Sequence, residues 1–121
     1  MLKEIFTIKG RMNRLPYLKY SIFLMVIMFL ISFVAGILTV VLTGDIELES
    51  NLYYILCFIF NLPLTVGAFM MCIRRLHDLN RSGYFVLLGF IPIVNFVLEI
   101  YLLFFRGTVG ANDYGEDPLQ F

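Results

Sequence analysis

Between residues 74 and 82 the chain reads Arg74-Arg75-Leu76-His77-Asp78-Leu79-Asn80-Arg81-Ser82, its densest polar stretch. Arginine forks match the oxygens of a phosphate, and basic residues beside the inner leaflet attract anionic lipid. The stretch thus reads as a headgroup or phosphate site, or as a topology anchor held by a local salt bridge. Arg74 and Asp78 are four residues apart, one helical turn, and are expected to pair if the preceding helix continues. Ser82, His77 and Asp78 are also the residue types of a serine triad. A triad needs the imidazole between nucleophile and carboxylate, and neighbouring helix positions point away from one another. Catalysis is therefore not the expected reading, though His77 titrates near neutral pH and suits a sensor.

A second basic segment, Gly10-Arg11-Met12-Asn13-Arg14, precedes Leu15-Pro16-Tyr17. Arg11 and Arg14 share a face if helical, and Ile5, Phe6 and Ile8 suit the membrane interface beside them. With Arg74, Arg75, His77, Asp78 and Arg81 they form the candidate contact set for lipid or a partner. Glu99 stands inside an apolar run, where an ionisable residue is costly and marks a functional hypothesis with a named partner. The partners expected for it are Arg106, Asn61 and Asn95. Asn61, beside Pro63, suits a hydrogen bond across to a neighbouring helix. Ser32 and Gly36 form a small-x-x-x-small face, read as a packing device. The tail is rich in Gly, Asn and Asp but lacks phosphate-loop and EF-hand spacing. No metal site, cofactor or catalytic residue is assigned.

What must position these groups is a set of membrane helices. Residues 20–42 and 52–73 carry no charge, and 84–105 carries only Glu99. About 20 apolar residues are what a helix needs to cross the hydrocarbon core. The chain is 60% hydrophobic, against roughly 45–50% for a soluble domain. The first run, longer than a signal-peptide core and without an A-x-A site, reads as a retained anchor. Cys57 and Cys72, both in the second run, stand roughly 22 Å apart along one helix. That is too far for a disulfide, so they read as small core residues. A formal net charge of zero removes any general case for nucleic-acid binding.

Charge placement predicts topology. Lys3, Lys9, Arg11, Arg14 and Lys19 lie before the first run and Arg74, Arg75 and Arg81 follow the second, whereas the link 43–51 holds Asp45, Glu47 and Glu49 and no cation. Cytoplasmic segments are enriched in Lys and Arg, so the N-terminus and second link are expected inside. Tyr17, Tyr20 and Tyr84 would mark the inner interface and Tyr53 and Tyr54 the outer. Thr43-Gly44 should end the first helix, Asn51 cap the second and Ser82 open the third. Pro92 divides the third run into two readings. The favoured one is a spanning helix kinked at Pro92; the other is a re-entrant hairpin of 84–91 and 96–105. Only the second returns the tail to the N-terminal side.

Read together, Gly10-Arg11-Met12-Asn13-Arg14 with Tyr17 and Tyr20, Arg74-Arg75-Leu76-His77-Asp78 through Ser82-Gly83-Tyr84, Ile91-Pro92-Ile93, and the tail's Gly107-Thr108, Gly110, Asn112, Tyr114, Gly115, Asp117 and Pro118 resemble the DUF805 family of small bacterial inner-membrane proteins. Tyr84 and Phe85 stand where tryptophans are common in that family, and Asn95 where a small residue is usual. The resemblance implies a few helices in a bacterial cytoplasmic membrane and supplies no chemistry. The expectation is an all-α membrane bundle of three helices in one domain, 1–121. It would be a non-enzymatic accessory or regulatory protein meeting membrane lipids or a membrane-protein partner, itself or another chain, through a basic cytoplasmic face. The alternative is a subunit of an oligomeric transporter or channel using Glu99.

Overall fold

The computed structural model describes residues 1–44 and 51–119. The acidic link residues Asp45, Glu47 and Glu49 lie outside the described residues. The order is α1 (Leu2–Ile5), α2 (Arg14–Thr43), α3 (Asn51–Asp78), a 3-10 helix (Gly83–Phe90) and α4 (Pro92–Phe104). This is an all-α membrane bundle in which two long apolar helices are joined by a shorter one.

The first two apolar runs each lie within a helix that extends past them. Asn13 caps α2 by accepting the Arg14 N–H, as a short polar side chain does at a helix start. Gly44 ends α2 in the left-handed region at φ 70°, its N–H bonded to Val40 O. α2 has 30 residues and α3 has 28, about 45 and 42 Å at 1.5 Å each, enough to cross a bilayer core of roughly 30 Å. α3 closes in a Schellman arrangement. Asn80 takes φ 54°, its N–H bonds His77 O, and the Arg81 N–H bonds Leu76 O. This is the hydrogen-bond pair such a cap requires.

The third run departs from the favoured expectation. Residues 84–105 do not form one kinked spanning helix. Ser82 caps as expected, accepting the Tyr84 N–H, but what it opens is the 3-10 helix. Ile91 is extended, and Pro92 is the first residue of α4. The fixed φ of proline suits that first position, where its missing N–H costs nothing. Pro92 therefore starts a helix instead of breaking one. α4 has 13 residues, about 20 Å, too short to cross alone. The 3-10 helix packs on α3 and on α4. The run leaves from the C-terminal end of α3 and comes back to it, since Phe105 O accepts from Arg75 Nη2. It is a hairpin, and its turn lies at Phe90–Pro92, slightly earlier than the hairpin expected from sequence.

The core runs along the inside of this hairpin and down the lower half of α2–α3. It joins Ile5, Met12, Tyr17, Leu24, Met71, Cys72, Leu76, Leu98 and Leu102. Beyond the hairpin tip α2 and α3 alone continue among the described residues, with outward apolar side chains such as Phe29, Phe33, Phe58 and Phe60 exposed, as a lipid-facing surface should be. Cys57 and Cys72 are both free thiols.

Candidate functional site

A helix leaves its last carbonyls without intrahelical donors, and here α3 and α4 both end at the same place. The side chains and loops that satisfy those carbonyls build the site. On α3, Asp78 O accepts the Thr108 N–H at 2.7 Å, His77 O adds Asn112 Nδ2 at 2.9 Å to its bond from Asn80, and Arg74 O, one turn back, also accepts the Met12 N–H. On α4, Leu102 O accepts from Arg75 Nε at 2.7 Å, and Phe104 O from Arg14 Nη1 at 3.3 Å. A cation at a helix C-terminus is also favoured by the dipole. The N-terminal segment, the end of α3 and the tail thus close into one polar cap.

The adjacent arginines serve different helices. Arg74 turns toward α1, donating to Glu4 O and to the Glu4 carboxylate. Arg75, fully buried, turns toward α4 and Met12 O and pairs with Asp78 Oδ2. The Arg74–Asp78 pair expected from the one-turn spacing does not form; Asp78 takes Arg75 at i−3 and Arg11 instead. Arg11 Nε donates to Asp78 Oδ1 at 3.0 Å, and its two Nη groups reach Thr108 O, Gly110 O and Gly115 O. Side-chain exposure is 1% for Arg11, 0% for Arg75 and 3% for Asp78. One carboxylate therefore holds two guanidinium groups, and the arginines hold the tail.

The tail is shaped to fit. Asn112 and Gly115 exchange backbone hydrogen bonds around a tight turn, and Asn112 Oδ1 accepts the Tyr114 N–H. This turn lays the Tyr114 ring flat on His77, centroids 4.1 Å apart and planes 5° apart. His77 Nδ1 lies 3.4 Å from Gly10 O. His77 stands past the apolar part of α3, and its burial holds the imidazole below its ordinary value of 6.5. Asp117 is held as a carboxylate, below its ordinary range, by the N–H groups of Leu119 and Gly110. Gly107 lies so close to Asp78 that an added Cβ would stand 2.0 Å from Oδ2. Sequence spacing gave no sign of that contact.

Of the seven candidate contact residues, the structure brings Arg11, Arg74, Arg75 and Asp78 together inside the cap, sets His77 at its edge, and leaves Arg14 and Arg81 exposed. The intramembrane polar residues have other partners than expected. Glu99 Oε2 accepts from Tyr17 Oη at 3.0 Å, not from Arg106, Asn61 or Asn95. Asn61 turns back on its own helix, Nδ2 to Cys57 O at 3.0 Å, and its Oδ1 is buried without a partner among the described residues. Asn95 and Glu99 line a cavity of about 210 Å³ with Thr65 and Cys72. Ser32 likewise bonds within α2, to Met28 O.

No solved structure matches the chain. Among curated proteins it is 30% identical over 118 residues to inner membrane protein YhaI of Escherichia coli strain K12, covering 98% of this chain and 91% of that one. It is 31% identical over 122 residues to inner membrane protein YhaH of the same strain, covering 98% and 92%. Residues 5–116 match the family described as "Protein of unknown function (DUF805)". That span takes in the arginine cap, both long helices, the hairpin and the tail turn, and the chain belongs to the DUF805 family of small bacterial inner-membrane proteins.

Proposed function

We propose that this protein is a non-enzymatic accessory or regulatory component of the bacterial cytoplasmic membrane. It crosses the membrane twice, through α2 and α3, with its N-terminus, its hairpin ends and its tail all on the cytoplasmic side. The observation that carries this reading is the one-sidedness of charge once the hairpin is folded. All nine lysines and arginines of the chain fall at the cap end: the eight of the N-terminal segment and second link, and Arg106, which the returning hairpin adds. That is the asymmetry expected of a cytoplasmic face. The hairpin would be re-entrant, its apolar side chains facing lipid and the Phe90 ring at its turn stacked on Phe69 of α3.

Within the cap, Arg11, Arg74, Arg75 and Asp78 are committed to one another and to backbone carbonyls. They support a built scaffold better than a reactive centre, and they serve lipid contact only indirectly. The contacts to anionic lipid or a partner protein fall instead to the exposed cations Lys3, Lys9, Arg14, Lys19, Arg81 and Arg106. A topology reporter fused after Phe121 tests this reading. A fusion active only in the cytoplasm supports it, and one active only outside the cytoplasmic membrane refutes both the hairpin and the shared face.

A second reading, a subunit of an oligomeric transporter or channel, draws on the small cavity beside Asn95 and Glu99. Under it, Glu99→Gln abolishes a flux into proteoliposomes. A variant that conducts like the parent removes its support.

A further inference from the structure

Where the start of α2 meets the end of α4, a cavity of about 380 Å³ opens, lined by Asn13, Arg14, Asp78, Arg106, Thr108 and Asp117 among others. Its walls are biased toward donors. Asp78 has both oxygens occupied from the inner side, by Arg11 and Arg75. Asp117 Oδ2 accepts the Gly110 N–H and Oδ1 the Leu119 N–H. Every carboxylate oxygen of the lining thus has a donor already. At the mouth the situation reverses. Arg14 uses one N–H on Phe104 O, and the Arg106 side chain has no hydrogen bond or ion pair among the described residues, so most donors of two exposed guanidinium groups remain open. The formal charge of the lining pair and the arginines behind it is positive, Arg11, Arg14, Arg75 and Arg106 against Asp78 and Asp117. The cavity also lies at the edge of the apolar surface, with Leu15, Leu18, Phe104 and Phe105 exposed beside it.

We propose that this cavity binds the phosphate of an anionic lipid headgroup, with Arg14 and Arg106 as its two forks and the acyl chains lying along α2 and α4. Planar guanidinium groups meet phosphate oxygens in pairs, and a headgroup at this height reaches the mouth without leaving the leaflet. The proposal rests on the cytoplasmic, lipid-contacting face argued above and names the site on that face.

The test uses the full-length protein in a neutral detergent, titrated with short-chain phosphatidylglycerol and, separately, with inorganic phosphate and with short-chain phosphatidylcholine. Binding is read as a saturable rise in thermal midpoint. The expected result is saturation by phosphatidylglycerol only, with affinity falling roughly tenfold or more in Arg106→Gln and again in Arg14→Gln, and falling less in Lys3→Gln/Lys9→Gln/Lys19→Gln, whose lysines share the basic face but do not line the cavity. Arg106→Gln removes no hydrogen bond or ion pair among the described residues, only a weaker attraction to Asp117, so its ligand-free midpoint should match the parent's and show that the variant is folded. If the triple lysine variant loses binding and the arginine variants keep it, the basic face contacts lipid but this cavity is not the site. If inorganic phosphate saturates as tightly as the lipid, the ligand is a free anion and the lipid assignment fails. If no ligand saturates, the cavity proposal and the lipid-contacting face fall together.

Discussion

Replacing Asp78 by Asn should do more damage than any other isosteric change in this chain. The carboxylate is 3% exposed and accepts from two guanidinium groups that are themselves 1% and 0% exposed. Asn keeps the shape, so no cavity term enters. It keeps one acceptor oxygen and turns an NH2 toward the other arginine, donor against donor. It also leaves two buried positive charges where one net charge stood. Removing one partner of a buried ion pair costs about 3–5 kcal/mol, a large share of a typical total stability of about 5–15 kcal/mol. At roughly 2–8 °C per kcal/mol, the melting midpoint should fall by about 10 °C or more. Cys72, buried on α3, provides the readout: maleimide labelling during a thermal ramp, in a Cys57→Ser background. Adding Arg11→Gln to Asp78→Asn removes one stranded cation, so the double variant should be less impaired than the sum of the two singles. An Asp78→Asn midpoint within about 2 °C of the parent would refute the claim that this carboxylate holds the cap together.

Three further outcomes follow from the same contacts. Gly107→Ala places a Cβ 2.0 Å from Asp78 Oδ2; overpacking of this kind costs about 1–3 kcal/mol, so the tail should undock and become far more sensitive to protease while α2 and α3 stay folded. Because burial depresses the His77 imidazole below 6.5, the undocked tail's His77 binds a proton more readily than the docked one. Docking stability is therefore full above pH 6.5, declines as pH falls through the lower docked value, and should show as faster tail proteolysis in mild acid, a dependence that His77→Phe abolishes while keeping the stack on Tyr114. Tyr17→Phe deletes the hydrogen bond to Glu99; such bonds within membranes average about 0.6 kcal/mol, so the midpoint should move by only a few degrees, and a loss as large as that of Asp78→Asn would show that Glu99 is a far stronger anchor than one bond implies.

The membrane character of this chain, the bodies of α2 and α3, the stop at Gly44 and the cap at Ser82 were all legible in the sequence. They depend on local quantities: the length of uncharged apolar runs, the backbone freedom of glycine, the reach of a short hydroxyl side chain. That eight of the nine cations lie before the first run or in the second link was legible for the same reason. The hairpin was not, because Pro92 is equally at home as a kink within a helix and as the first residue of a new one. What decides between them is Phe105 O meeting Arg75 across 30 residues of chain, a contact no window along the sequence contains. Asp78 could pair at i−4 or i−3 by spacing alone. Packing turned Arg74 to α1 and Arg75 to α4, and the bond joining Glu99 to Tyr17 spans 82 positions. Sequence sets which groups need partners, through burial and unfilled hydrogen bonds. The tertiary fold chooses the partners, because only it brings the ends of two helices, a leader and a tail to one place.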